Sequence, residues 1–161
     1  MFLKGVGFSI EESTHFWKSE FVKAPEITAD KFDKQYAYNI RHSYGKEGKR
    51  YDYTPWSCKK VIDTMPGVGE YHGCPFKTFK EETLAEFMAA QYGLNATEIK
   101  TILEKRRTNE FQVACIRLWE FKHPNGVKNN VGNSPNAYYD SSLDYAESVG
   151  GEPKDEPMEA S

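Results

Sequence analysis

A series of helix start signals, each followed by apolar residues at helical spacing, constrains the fold more than any other feature of the sequence. This signal is the capping box. The side chain of a Ser, Thr or Asn accepts a hydrogen bond from the backbone N–H of the residue three positions later, and the glutamate at that later position accepts one from the backbone N–H of the first residue. The candidate boxes pair Ser9 with Glu12, Thr78 with Glu81 and Asn95 with Glu98. We therefore predict a mostly α-helical, compact domain, with a short irregular or β segment toward its C-terminal end, where Asn, Gly, Ser and Pro are frequent.

Proline and glycine divide the remaining sequence into short helices and loops. Thr54 followed by Pro55 is typical of an N-cap with proline at the first helical position, which predicts that Cys58 lies in the first turn of a helix. Residues 41–50 and 67–76 are rich in glycine and polar side chains, so we predict loops there.

Length and charge indicate the domain organisation. The chain has 161 residues, which suits one ordinary domain, and we assign that domain to residues 1–145. Residues 146–161 are acidic and contain Gly and Pro, so we expect a disordered tail. No apolar run is long enough to cross a bilayer and no secretory signal is expected, so we predict an intracellular protein.

The net charge of −3 conceals two regions of opposite sign. Residues 140–161 carry seven acidic side chains and one lysine, whereas residues 32–60 carry seven basic and three acidic side chains. The basic region also contains five tyrosines, whose rings stack on nucleobases as readily as they fill a core. Its composition indicates an anionic partner, and the alternative is a solvated loop that its tyrosines anchor to the core.

Within the basic region, six side chains suit phosphate oxygens, either as hydrogen-bond donors or as mobile positive charges on a glycine-containing loop. They are Asn39, Arg41, His42, Lys46, Lys49 and Arg50. The glycines there lack the spacing of a nucleotide-binding P-loop, and no nucleophile or metalloprotease signature occurs in the sequence. The sequence therefore favours binding over catalysis.

Three cysteines, Cys58, Cys74 and Cys115, are widely spaced and too few for a disulfide framework. Zinc sites of the knuckle or ribbon type would offer closely spaced pairs, so spacing alone favours buried free thiols over a metal site. The Cys74-Pro75 step is a pattern found at iron-sulfur ligands, and it leaves a cluster possible if a fourth ligand comes from elsewhere.

Five segments together resemble one protein family. They are FLKGVGFSIEESTHFW, DKFDKQYAYNIRHSYGKEGKRYDYTPWSC, YHGCPF, FQVACIRLWE and NSPNAYYDSS. In this order, from Phe2 to about Ser142, they resemble the C-terminal iron-sulfur domain of the eukaryotic DNA primase large subunit.

This resemblance implies a helical domain organised around a [4Fe-4S] cluster. It also implies an accessory, non-catalytic role in DNA replication: binding the 5′-triphosphate end of an RNA primer paired to template DNA. RNA polymerisation would reside in a separate catalytic subunit. The implied partners are that subunit and the DNA polymerase alpha complex, and the implied compartment is the nucleus.

The resemblance also assigns roles to individual residues. Cys58, Cys74 and Cys115 match three of the four cluster ligands. Asn39 and His42 match positions that hold the primer triphosphate, and Lys4 matches a further phosphate contact. Tyr36, Tyr38 and Trp17 match aromatic residues near the cluster and the nucleic acid.

In the family, the first cluster cysteine lies upstream of the FLKG segment, so we expect the fourth ligand to be missing from this sequence. Two alternatives stay open on the sequence alone. One is a redox-active iron-sulfur protein, and the other is a metal-free helical nucleic-acid-binding module.

Overall fold

The computed structural model describes residues 1–70 and 72–150, which form ten α-helices and no strand. The chain divides into two compact units: unit 1 is Met1–Ser57, and unit 2 begins at Cys58. The predicted helical class is confirmed. No helix within the described ranges has both the length and the apolar character that a membrane span requires.

Unit 1 contains four helices. Their bounds are α1 Phe2–Gly5, α2 Ile10–Phe21, α3 Ala29–Gln35 and α4 Ala37–Ser43. The capping box of α2 is confirmed, because Ser9 and Glu12 exchange side-chain-to-backbone hydrogen bonds. The predicted loop begins later than expected, since residues 41–43 continue α4 and irregular backbone occupies residues 44–57.

Aromatic packing holds unit 1 together. Phe32 is fully buried, and its ring centroid lies 5.4 Å from that of Phe21 and 6.1 Å from that of Tyr36. Burial of such rings contributes most of the stabilisation in a small core. This cluster fixes α2 against the junction of α3 and α4.

Unit 2 contains six helices. Their bounds are α5 Cys58–Asp63, α6 Pro75–Thr78, α7 Glu81–Tyr92, α8 Ala96–Arg107, α9 Phe111–Lys122 and α10 Pro135–Val149. Leu84, Met88 and Ile102 are almost fully buried where α7, α8 and α9 form one apolar core. The predicted box of Asn95 and Glu98 is confirmed at the start of α8.

Two predicted helix starts are wrong. Residues 54–57 are not helical, and α5 begins only at Cys58, whose backbone N–H donates to the carbonyl of Asn133 at 2.8 Å. Thr78 does not cap α7; its hydroxyl donates to the carbonyl of Cys74 at 3.0 Å and it ends the separate short helix α6. At Thr78, this hydrogen bond takes the residue that the local signal assigned to a cap, whereas Cys58 lies in the first turn of a helix as predicted.

The predicted irregular or β segment near the C-terminal end is irregular over residues 123–134 and forms no strand there, and α10 occupies the sequence that follows. The hydroxyl of Ser134 accepts the N–H of Ala137 at 3.0 Å, with proline at the first helical position. The Ser-Pro step is therefore a helix cap within a segment whose polar composition predicted a loop. Helix α10 continues into the predicted tail as far as Val149, and residues 151–161 lie outside the described part of the chain.

Candidate nucleic-acid interface and cysteine-lined cavity

Lys4 is held by the irregular segment that follows α4. Its ammonium nitrogen donates to Oδ1 of Asp52 at 2.6 Å, to the carbonyl of Tyr53 at 2.8 Å and to the carbonyl of Ser43 at 3.4 Å. It also lies 5.9 Å from the ring centroid of Tyr44. Three acceptors and a ring face therefore fix the Lys4 ammonium in a mostly buried place.

Asn39 is exposed on α4, next to Lys4. Both side chains line a cavity of about 140 Å³, together with Trp17 and Tyr44. A second cavity, of about 200 Å³, is lined by Trp17, Tyr36 and Asn39. The structure thus brings a cation, an amide and three aromatic rings to one surface of unit 1.

The imidazole ring of His42 lies between two tyrosines. Its centroid is 6.1 Å from that of Tyr38 and 5.0 Å from that of Tyr53. The hydroxyl of Tyr53 and Nε2 of His42 are 3.5 Å apart. Tyr38 is 47% exposed at one end of this stack, so it offers a ring face to a ligand. Tyr36, by contrast, packs within the aromatic cluster around Phe32.

Arg41 differs from the three basic residues of the loop that follows it, Lys46, Lys49 and Arg50. Its Nε donates to Oε1 of Glu47 at 2.7 Å, which closes the loop that begins at Tyr44. Lys46, Lys49 and Arg50 are exposed and form no ion pair with any residue in the described ranges. Because no ion pair neutralises them, these three side chains are the uncompensated cations of the surface.

The three cysteines, distant in sequence, line one cavity of about 320 Å³ in unit 2. Cys58 is the first residue of α5, Cys74 precedes α6, and Cys115 lies in the middle of α9. Most of the remaining wall is apolar, formed by residues such as Met88 and Leu118. Spacing alone did not predict this convergence, because it favoured separate buried thiols; only the family resemblance grouped the three cysteines.

Burial keeps these thiols protonated when no metal is bound. It raises the pKa of Cys115 to about 12, with Cys58 and Cys74 adding to the rise. Burial also raises the pKa of Cys58, as does the nearby Cys74. The pKa of Cys74 is raised by burial too, although hydrogen bonds from the N–H groups of Phe76 and Lys77 oppose the rise. Since a metal binds the thiolate, loading this site would release protons.

The three cysteines offer the soft donors that thiolate-bound metals and iron-sulfur clusters use. In residues 1–70 and 72–150, no three His, Cys, Asp or Glu side chains converge closely enough to hold one metal ion. Thiolates are the ligands that hold iron-sulfur clusters, and all three cysteines line the cavity of about 320 Å³. Two amide N–H groups aimed at Cys74 would stabilise its thiolate.

Residues 1–139 match the family described as the C-terminal domain of the large subunit of eukaryotic and archaeal DNA primase. The chain belongs to this family. Among relatives, it is 46% identical over 140 residues to the DNA primase large subunit of Mus musculus and 44% identical over 140 residues to that of Homo sapiens. It is 40% identical over 142 residues to the probable DNA primase large subunit of Arabidopsis thaliana.

These matches cover 86% of the chain for the two mammalian proteins and 88% for the plant protein. They cover only 27% of each mammalian protein and 30% of the plant protein. The family match includes all of unit 1 and unit 2 up to residue 139.

Three residues of this primase domain contact the predicted site but were not predicted from the sequence: Asp52, Tyr53 and Glu47. The mixture of acidic and basic residues in KEGKRYDY indicates that its acids form ion pairs with nearby basic residues, as Glu47 does with Arg41. No local signal indicates that Asp52 pairs with Lys4, which lies 48 positions earlier.

Proposed function

We propose that this primase domain is a non-catalytic nucleic-acid-binding domain that holds the 5′-triphosphate end of an RNA primer paired to template DNA. The observation that carries the proposal is the surface of unit 1, where Lys4 and Asn39 line one cavity. Three uncompensated cations, Lys46, Lys49 and Arg50, extend the positive charge along the loop that follows α4.

A terminal triphosphate is a denser anion than an internal phosphodiester. Side chains that gather around one point therefore favour a primer end over the middle of a strand. Asn39 and His42 lie one turn apart on α4 and would donate to phosphate oxygens, with Lys4 as a further contact. The exposed ring of Tyr38 would stack on a base or ribose next to the end.

The test is binding of primer–template duplexes that differ only in a 5′-triphosphate or a 5′-hydroxyl. We expect the triphosphate duplex to bind more tightly than the hydroxyl duplex. His42→Ala should weaken binding of the triphosphate duplex about 10- to 100-fold, because it removes one hydrogen bond to a charged group. His15→Ala, which removes an exposed histidine of α2, is the matched control and should leave binding unchanged. Equal affinity for the two duplexes would refute the proposed function.

The proposed cofactor is a [4Fe-4S] cluster bound by Cys58, Cys74 and Cys115, with a fourth ligand supplied from elsewhere. When bound, the cluster would link segments that begin α5, precede α6 and form the centre of α9. Its binding free energy would then add to the folding free energy of unit 2. The apolar wall of the cavity would limit the access of water to the cluster.

An anaerobic iron and acid-labile sulfide assay, on this chain and on the full-length large subunit, tests the cofactor. About four irons per chain are expected for a loaded site. Cys58→Ser should abolish iron retention and lower stability strongly. If instead it costs no more than about 1 to 2 kcal/mol and leaves primer binding intact, the cysteines are core residues of a metal-free module. Redox turnover unrelated to nucleic acid would favour the redox-protein alternative.

The proposed partners are a separate primase catalytic subunit, which would carry the RNA polymerisation chemistry, and the DNA polymerase alpha complex. Nuclear localisation follows from the same proposal. Membership of the primase large-subunit family supports these assignments.

A further inference from the structure

The ion pair between Lys4 and Asp52 is strongly asymmetric. The side chain of Lys4 is 20% exposed, whereas that of Asp52 is 91% exposed. Asp52 therefore covers Lys4 from the solvent side, with its carboxylate oxygen 2.6 Å from the ammonium nitrogen. An anion that approaches Lys4 from the side of Asp52 meets this carboxylate first.

Asp52 is one of several groups that hold Lys4 in place. The carbonyls of Tyr53 and Ser43 accept from the same ammonium at 2.8 and 3.4 Å, and the ring of Tyr44 lies beside it. An ammonium group has three donors, so Asp52 and the two carbonyls use all of them. A phosphate oxygen can gain a hydrogen bond from Lys4 only by replacing one of these acceptors.

We propose that Asp52 is an internal competitor that limits the affinity of the primer-end site, because a phosphate oxygen must displace its carboxylate to reach Lys4. This inference rests on the proposed function, in which Lys4 contacts the triphosphate. The exposed carboxylate is the acceptor most easily replaced, since the two carbonyls belong to the backbone. Asp52 also repels an incoming polyanion. Its removal should therefore tighten binding and slow primer release.

The variant Asp52→Asn tests this proposal in the full-length large subunit. The amide keeps the size of the side chain and removes its charge. We expect it to bind the 5′-triphosphate duplex about 3- to 10-fold more tightly, with most of the change in the dissociation rate. Binding of the 5′-hydroxyl duplex should change less than about twofold, because that duplex does not recruit Lys4.

Asp33→Asn is the matched control. Asp33 forms a 2.6 Å ion pair with Lys18 in the same unit, so this variant makes the same change in net charge at a different pair. A long-range charge effect would appear in both variants, whereas competition for Lys4 appears only in Asp52→Asn. In a Lys4→Gln background, Asp52→Asn should have no effect beyond that of the control.

The outcomes separate this inference from the proposed function. If the wild type does not prefer the triphosphate duplex, the proposed function itself fails. If the wild type shows that preference but Asp52→Asn binds equally or more weakly, Asp52 positions Lys4 or is inert, and the competitor role is overturned. Equal tightening with and without Lys4 would overturn it as well.

Discussion

Gly48 packs directly against the imidazole ring of His42. A Cβ atom at this position would stand 3.2 Å from Cδ2 and 3.3 Å from Nε2 of that ring, and 3.8 Å from the hydroxyl of Tyr38. Gly48 also has a φ of 59°, in the left-handed region that side chains other than glycine rarely adopt. The loop that carries the uncompensated cations is thus folded back onto His42, a predicted triphosphate ligand.

Gly48→Ala should weaken triphosphate binding severalfold, because the new methyl group pushes the loop away from His42. The measurement is the affinity for the 5′-triphosphate duplex, with circular dichroism to confirm that the helices are retained. Gly69→Ala is the control, since Gly69 also has a positive φ, of 81°, but has no atom within 4 Å of its would-be Cβ. If both variants bind like the wild type, the contact of Gly48 with His42 does not support the site.

The uncompensated cations predict a specific salt dependence. We expect weaker binding to all duplexes from each of three variants, Lys46→Gln, Lys49→Gln and Arg50→Gln. Each variant should also make the plot of log affinity against log salt concentration less steep, by about 0.7 to 0.9 for each phosphate that the altered side chain no longer neutralises. The measurement is a titration at several salt concentrations. Lys34→Gln, which removes a lysine paired with Asp30 in α3, should leave the slope unchanged. An unaltered slope in all three loop variants would mean that the loop does not touch phosphates.

Local signals predicted those structural features that short-range interactions decide. The box of Ser9 with Glu12 formed as predicted, and α7 ends at Gly93, where φ is 67° as expected for a left-handed cap. Thr78 and Glu81 carry the same signature, yet Thr78 belongs to a separate helix that begins at Pro75. A sequence window cannot distinguish a cap from the last residue of the preceding helix when both satisfy the same pattern.

The arrangement of the candidate sites depended on contacts distant in sequence. Spacing gave no reason to place Cys58, Cys74 and Cys115 around one cavity, and only the family resemblance grouped them. The pairing of Lys4 with Asp52 was likewise absent from any local pattern, because packing of α1 against the segment after α4 creates it. Sequence reasoning therefore found the residues that carry charge but missed the acid that pairs with one of them.

An aromatic stack next to α10 predicts a steric requirement for glycine. The rings of Trp119 and His123 lie nearly parallel, with centroids 4.3 Å apart, and Tyr145 of α10 meets His123 edge-on. A Cβ on Gly126 would come within 2.7 Å of the Trp119 indole and 3.0 Å of the Tyr145 ring.

Gly126→Ala should therefore lower the free energy of unfolding by about 1 to 3 kcal/mol, the cost of overpacking a close-packed contact. Chemical denaturation followed by tryptophan fluorescence measures it. Gly67→Ala is the control, because the nearest atoms there belong to the end of the flexible Glu70 side chain. Equal stability of the two variants would mean that the stack relaxes without cost.

The junction of α7 and α8 predicts a pH-dependent contribution to stability. Glu81, the first residue of α7, accepts hydrogen bonds from both Nη2 and Nε of Arg107, the last residue of α8, and Arg106 lies 3.6 Å away. The hydrogen bonds from Arg107 lower the pKa of the Glu81 carboxyl. A lowered pKa in the folded state means that the stabilisation is complete above the ordinary glutamate pKa and is lost as the pH falls through the lowered pKa.

Glu81→Gln should therefore unfold at lower denaturant concentration than the wild type at pH 7, and the difference should disappear in acid. Glu82→Gln, at an exposed neighbour without an ion pair in the described ranges, should show no such pH-dependent difference. A Glu81→Gln deficit that persists unchanged in acid would show that packing, and not the charge of Glu81, joins the two helices.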